Sequence, residues 1–329
     1  MNNRKSYKLS ICIPTFNRYK SLKVLLGSLI EQNHNENVQI IVSNNASTDK
    51  TDELCKLCSE TRKSFKYIKQ ETNVGFAKNV ESVVNNSDGE YLWILGDDDI
   101  PNSHAIKKIV SEIDEYEAGW FLFNFKRNNS VGFRGFAESD VKNLNDLLKA
   151  AGIWSSFMSI SILKKDALHS LENIPKNNYY AFSLALNAGS AQGVKYRDYC
   201  LVDRKMSKIA NHRFNECSTY AIDFFEYLDE LVSLKKVSLF TRNSLAKEFF
   251  FGILSLYIVK NKLSKSINPR FFDLFKIHKY VFVFYLTIVP IYLSSRALLK
   301  LALLCSRLLN SIYPTKKLTK ATNFLTNNE

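Results

Sequence analysis

Three consecutive carboxylates, Asp97, Asp98 and Asp99, follow Gly96 directly after the apolar run Glu90–Leu95. Like charges at the end of an interior strand repel one another and resist leaving water unless a cation neutralises them. Oxygen-only ligands on a short turn suit Mg²⁺ or Mn²⁺, which keep some waters and share a substrate's phosphates. The turn therefore reads as a metal–diphosphate site at the mouth of a sheet. The competing reading is a solvated acidic turn whose aspartates cap a helix that Pro101 begins.

The elements that must position this turn alternate as a parallel sheet requires. Leu9–Pro14 predicts a strand, and Arg18–Gln32 a helix through Leu22, Leu25, Leu26, Leu29 and Ile30. Val38–Ser43 predicts the next strand, and a helix follows from about Asp49 to Arg62. Phe65–Ile68 is a third strand, and Gly75–Asn85 a third helix leading to the strand before the aspartates. Strand–helix–strand units at this spacing imply a doubly wound α/β sheet, in which ligands bind at the carboxyl ends of the strands. Pro14–Arg18, Ser43–Thr48 and Asp97–Asp99 all fall there, so three polar loops converge on one crevice. Further on, Trp120–Lys126 and Phe157–Leu163 predict strands, and Asn143–Ala151 and Tyr179–Leu186 helices.

With 329 residues, 46% hydrophobic and 13% aromatic, the chain has ample material for a core. The polar, basic start at Met1–Lys8 has no apolar run behind it that would make a signal peptide. Six scattered cysteines fit a reducing compartment. Cys55 and Cys58 read as ordinary helix residues, because no second pair or nearby histidine completes a zinc site.

The net charge of +13 is uneven. Residues 1–230 hold 29 Lys/Arg and 29 Asp/Glu, whereas residues 231–329 hold 16 and 3. In that last part, Tyr280–Ser295 is charge-free for sixteen residues. As a helix it would span about 24 Å, short of the ~30 Å hydrocarbon core, and Pro290 interrupts it. Arg296, Lys300 and Arg307 then fall within about 40° of one another on a helix, flanked by Asn310 and Ser311. The other face carries Leu298, Leu299, Leu301, Leu303, Leu304 and Leu308. This pattern predicts an interfacial amphipathic helix on an anionic membrane surface; the alternative is a helix packed on the chain's own core or in an oligomer. Nucleic acid is a poorer partner, because the charges ride on strongly apolar helices.

Four motifs in order carry a resemblance: Pro14-Thr15-Phe16-Asn17-Arg18, Val42–Asp49, Asn73-Val74-Gly75 and Gly89–Asp99. Over about residues 8–105 the chain resembles family-2 inverting glycosyltransferases of GT-A fold, in particular the abequosyltransferase-like subgroup of bacterial surface-polysaccharide synthesis. The resemblance implies a Rossmann-like, mixed but mostly parallel sheet flanked by helices, here with a C-terminal helical, membrane-associated extension. It implies a nucleotide-sugar-binding half (1–105), an acceptor-binding half (106–215) and a basic, apolar region (216–329). Pro14, Thr15, Asn17, Asn44, Asn45, Asn79, Asp97 and Arg204 would meet the nucleotide-sugar donor. Asp97, Asp98 and Asp99, joined by His212, would hold Mg²⁺ or Mn²⁺. Arg204 and His212 lie in Leu201–His212, which is similar to the family's late basic loop over the diphosphate. The implied acceptor is a lipid-linked (polyprenyl-diphosphate) glycan at the cytoplasmic face of the inner membrane, where the protein would sit peripherally.

The chain departs from the family pattern twice. The base-reading turn carries Asn44 and Asn45 where an aspartate is usual; an amide offers one acceptor and two donors, which suits the edge of a pyrimidine. The helix start about eighty residues after the metal motif, Pro175–Phe182, lacks the acid expected as general base. The nearest carboxylates are Glu172, then Asp166 and Asp198; Glu172 and Asp198 are taken as the candidates. Two other readings stand beside this one. A sugar nucleotidyltransferase would want a glycine-rich loop after the first strand, which Pro14–Arg18 is not. A non-catalytic, glycosyltransferase-like scaffold at the membrane would account for the missing base but not for three intact aspartates.

Overall fold

Strand β1 (Tyr7–Thr15) is buried at every position but Lys8, as a strand covered on both sheet faces must be. It belongs to a computed structural model that describes residues 7–32, 37–127, 130–133, 139–141, 143–204 and 223–249. Helix α1 (Tyr19–Gln32) turns Leu22, Leu25, Leu26 and Leu29 inward, the one-face spacing of an amphipathic helix. β2 (Val38–Asn44) is buried throughout. α2 (Thr51–Thr61), β3 (Phe65–Lys69), α3 (Phe76–Asn85) and β4 (Gly89–Ile94) complete the alternating first half. β1, β2, β3 and β4 pair in parallel, in the spatial order β3-β2-β1-β4.

Beyond β4 come β5 (Ile100–Pro101), α4 (Ala105–Glu115), β6 (Trp120–Arg127), β7 (Ser130–Val131) and β8 (Ser139–Val141). α5 (Leu144–Ala151), β9 (Ser161–Lys164), α6 (Tyr180–Gln192) and β10 (Val194–Arg204) follow. The sheet continues from β4 as β9-β6-β10-β5, with β7 on β6 and β8 on β10. β9 runs antiparallel to both β4 and β6, while β6 and β10 are parallel. The result is the mixed, mostly parallel α/β sheet expected. Its centre is aromatic: Tyr91, Trp93, Trp120, Phe121 and Phe123 are all essentially solvent-free.

Three expectations change. Of the anticipated strand Phe157–Leu163 only Ser161–Leu163 lies in a strand, which runs on to Lys164; Met158–Ile160 forms a 3₁₀ turn, which lets the Ser159 carbonyl accept the Trp93 Nε1–H at 2.9 Å. The stretch read as a late loop from Leu201 is, up to Arg204, the end of β10. Pro101 does not begin a helix: it lies in β5, which ends the sheet order, where a missing N–H is tolerated, and α4 starts at Ala105.

The chain divides into two compact units, Met1–Asn211 with Tyr227–Ser238, and His212–Glu226 with Leu239–Glu329. Helices α7 (Asp223–Ser233) and α8 (Leu239–Phe249) are the last described elements. In the second unit Arg242 lies 4.4 Å over the Phe225 ring. The segments expected to meet a membrane, Tyr280–Ser295 and Arg296–Ser311, lie outside the described residues. No helix among the described residues is long and apolar enough to cross a membrane.

Candidate active site

At the carboxyl ends of β1, β2 and β4, polar side chains stitch the loops to one another. Asn17 takes a left-handed conformation (φ 53°), which asparagine accommodates better than most residues. Its N–H donates to Ser47 Oγ and its Oδ1 accepts the Thr48 N–H, both at 2.8 Å. The Tyr19 N–H donates to Asp49 Oδ2 at 2.9 Å. Burial pushes the Asp49 carboxyl up, but hydrogen bonds from Thr51 and the Tyr19 N–H outweigh it and hold the group below its ordinary value. Pro14 is buried inside β1 opposite Ser43 of β2, two residues past the last β4 pair at Cys12–Ile94, where its missing donor breaks no ladder bond.

The aspartates point to three different partners. Asp97 accepts from Thr15 Oγ1 at 2.8 Å, Asp98 pairs with Arg18 Nη1 at 2.6 Å, and Asp99 accepts from Ser159 Oγ at 2.5 Å. Ser159 Oγ also receives the Gly96 N–H at 2.9 Å. A Cβ on Gly96 would stand 2.8 Å from Asp99 Oδ2, so a side chain there would push that carboxylate from its place. Burial pushes the Arg18 guanidinium down, yet the surrounding Asp97, Asp98 and Asp99 raise it above its ordinary value. Asp97 and Asp99 are buried, and Asp98 is the most open of the three.

Asn44 and Asn45 face inward. Asn44 Nδ2 donates to Tyr67 Oη at 3.0 Å and its Oδ1 accepts the Ser47 N–H. Tyr67 in turn donates to Asp52 at 2.6 Å. Asn45 Nδ2 donates to Asn73 Oδ1 at 2.8 Å and its Oδ1 accepts the Val74 N–H. Exposure is 0% for Asn44 and 4% for Asn45, so these amides brace the loop rather than stand open to a base edge. Asn79 clasps the ends of β1 and β2 by donating to Thr15 O and Ser43 O, and its buried Oδ1 meets no donor among the described residues. Beside this turn a cleft of about 360 Å³ is lined by Ala46, Ser47, Lys69, Gln70 and Glu71. It has the volume of a small ligand pocket.

The other anticipated residues are dispersed. Asp198 is exposed within β10 and accepts from Asn124 Nδ2 at 2.6 Å and Tyr196 Oη at 3.0 Å. Glu172 is exposed on the 3₁₀ turn Leu171–Asn173. Arg204 is the last residue of β10, and His212 lies outside the described residues. Sequence reading missed Ser159, which lies sixty residues from Asp99 and carries no local motif.

Among the described residues no group of three His, Cys, Asp or Glu side chains is arranged to hold a divalent cation. A cage made wholly of these carboxylates does not fit. The oxygen-only donor set does fit a cation that takes one or two carboxylates and completes its shell with phosphates and water.

The sequence model of glycosyl transferase family 2 matches residues 10–185, which span β1 to α6 and contain the whole aspartate turn. The chain belongs to that family. Among family-2 relatives, abequosyltransferase RfbV of Salmonella typhimurium is 37% identical over 183 residues, half of this chain and 55% of RfbV. The chain spans about half or less of the length of the first curated relatives it matches. In fold it is similar to Staphylococcus aureus TarS 1–349 in complex with UDP-GlcNAc (TM-score 0.60, 20% identity, 83% of this chain and 81% of that one). It is similar also to a mannosyltransferase of Pyrobaculum calidifontis in complex with GDP-Man and Mn²⁺ (TM-score 0.58, 14% identity, 99% and 89%).

Proposed function

We propose that this family-2 glycosyltransferase moves a sugar from a nucleotide-diphospho-sugar to a lipid-linked glycan, with inversion, in bacterial surface-polysaccharide synthesis. The observation that carries the proposal is the Asp97–Asp99 turn at the carboxyl end of β4, beside the stitched ends of β1 and β2. Asp98, with Asp97 or Asp99, would hold Mg²⁺ or Mn²⁺, whose chemistry is to take up charge on the departing nucleoside diphosphate. Thr15 and Ser159 fix the rotamers of Asp97 and Asp99 through their hydroxyls. The nucleotide would lie over Asn17, Ser47 and the cleft at Lys69–Glu71, with Pro14, Asn44, Asn45 and Asn79 shaping the wall beneath it. Arg204, the last residue of β10, is assigned to the diphosphate, as the family resemblance implies. In support of the donor class stand the bound UDP-GlcNAc of TarS and the bound GDP-Man of the mannosyltransferase, and the latter's Mn²⁺ supports the metal. We keep a pyrimidine base as the preferred donor, on the likeness to TarS.

For the acceptor proton, Asp198 is preferred over Glu172, because two donors hold its carboxylate in place. Asp198→Asn should therefore lower kcat more than Glu172→Gln. The division into donor half 1–105, acceptor half 106–215 and membrane-facing region 216–329 is retained as part of this reading. The basic, apolar composition of the last part supports a peripheral place on an anionic cytoplasmic leaflet.

Nucleotide-sugar hydrolysis across a UDP-, CDP-, dTDP-, GDP- and ADP-sugar panel, with Mn²⁺ or EDTA, tests the catalytic reading. Metal-dependent cleavage of one donor class is expected; no cleavage of any donor would favour a non-catalytic scaffold. Full-length protein should sediment with membranes and be only partly released by high salt. A form lacking residues 278–329 that still sediments would contradict the membrane reading.

A further inference from the structure

Arg18 is held from both sides. Asn17 is fixed to Ser47 and Thr48, and the Tyr19 N–H to Asp49, so the intervening Arg18 backbone has little freedom. Its side chain, 12% exposed, brings Nη1 to 2.6 Å from Oδ2 of Asp98, whose own side chain is 30% exposed. Asp97 accepts from the Thr15 hydroxyl and Asp99 from the Ser159 hydroxyl. A cation is thus built into the acidic turn, and it sits on the carboxylate most open to an incoming ion.

We propose that Arg18 is a tethered counter-ion: it neutralises Asp98 in the free protein, yields it to a divalent cation, and turns its guanidinium to the diphosphate that arrives with that cation. The proposal rests on the metal reading above. A guanidinium fork pairs with phosphate as readily as with carboxylate, so the exchange leaves no charge unmet. A metal arriving alone must expel Arg18 without offering it a new partner, whereas a metal arriving with a diphosphate offers one. Metal and diphosphate should therefore bind with positive coupling, part of which resides in Arg18.

The experiment titrates full-length protein with Mn²⁺ alone, following free Mn²⁺ by electron paramagnetic resonance, and titrates UDP with and without Mn²⁺ by calorimetry. Arg18→Met should bind Mn²⁺ alone about tenfold tighter than wild type and bind metal-free UDP about tenfold more weakly. Arg18→Lys, which keeps the charge, should resemble wild type toward Mn²⁺ alone and fall between the two toward UDP. Equal Mn²⁺ affinity in Arg18→Met and wild type, or undiminished metal-free UDP binding, would overturn the proposal. Should Arg18→Met not fold, Arg18→Gln carries the same expectations. Adding Asp98→Asn separates the two readings. If it abolishes Mn²⁺ binding in the presence of UDP but Arg18→Met changes nothing, the metal reading stands and the counter-ion proposal falls. If it leaves Mn²⁺ binding intact, both fall.

Discussion

Among the described residues, two arginine–carboxylate pairs are built to opposite ends. Arg197 of β10 and Glu112 of α4 are 7% and 8% exposed. Lys108, one helical turn from Glu112, pairs with the same carboxylate, and the Arg197 guanidinium lies 4.6 Å over the Tyr116 ring. There, among the described residues, two cations serve one acid. Burial pushes the Glu112 carboxyl up, but bonds from Lys108 and Arg197 prevail and hold it below its ordinary value. At the aspartate turn the balance is reversed: Asp97, Asp98 and Asp99 all act on Arg18. The first pair is complete in itself and locks α4 to β10. The second sets three carboxylates of one short turn around a single arginine, an oxygen-rich arrangement suited to a further cation.

The sharpest way to break this contrast is at the acids. Asp98→Asn and Asp99→Asn should each lower sugar transfer at least about a thousandfold, a loss of roughly 4 kcal/mol in transition-state stabilisation. Thermal stability without metal should change by less than about 1 kcal/mol, because lost bonds are offset by relief of repulsion. Near-normal turnover in both variants would remove the functional half of the comparison. At the other pair the pattern should invert. Arg197→Met leaves Lys108 as the cation on Glu112 and should cost about 1–3 kcal/mol of stability in urea unfolding. Turnover per folded molecule should stay within about twofold, on the scale of RT.

Between these extremes stands Ser159, which donates to Asp99 and receives the Gly96 N–H. Ser159→Ala removes a donor from Asp99 and the acceptor of the buried Gly96 N–H, and should cost about 1–3 kcal/mol of stability. It should also lower kcat by about tenfold by loosening Asp99. Denaturant unfolding and steady-state kinetics on the same preparation check both effects.

The smallest effect concerns the stitching of the nucleotide loop. Asp49 is held below an ordinary 3.8 against burial by hydrogen bonds from Thr51 and Tyr19, and Asp52 lies below it through bonds from Tyr67 and Lys69. Both take up a proton less readily folded than unfolded. The stability they contribute is therefore full above pH 3.8 and drains away as pH falls further. An Asp49→Asn, Asp52→Asn double variant should be about 0.5–1 kcal/mol less stable at neutral pH and unfold over a narrower stability range in acid. Unfolding curves between about pH 5 and pH 2 test the sign.

The same contrast explains what could be read from the chain alone. The donor-side loops were legible because each sits within a few residues of a strand end, where apolar alternation marks the strand and polar composition marks its mouth. Arg18 was visible in its motif, but its pairing with Asp98 depends on β1 and β4 being neighbours. The inward turn of Asn44 and Asn45 was not legible. It is decided by Tyr67 and Asn73, more than twenty residues away, and an asparagine turn has the same composition whichever way its amides face. The second half was harder because antiparallel β9 and the long β10 join the sheet out of chain order. The apolar run Phe157–Leu163 predicts one strand, whereas Ser159 is drawn into a 3₁₀ turn by Trp93, Gly96 and Asp99. Such bonds across sixty residues leave no periodicity to detect.

The most direct test of the central claim, that the aspartate turn binds a nucleoside diphosphate through a divalent cation, is calorimetric titration with a nucleoside diphosphate. UDP, CDP, dTDP, GDP and ADP would each be titrated with Mn²⁺ and with EDTA, in wild type and in Asp98→Asn. The account predicts that one pyrimidine diphosphate binds best, and that EDTA and Asp98→Asn each weaken it by about tenfold or more. A GDP or ADP preference would refute the pyrimidine assignment alone. Binding of equal strength with Mn²⁺ and EDTA, unchanged by Asp98→Asn, would contradict the account.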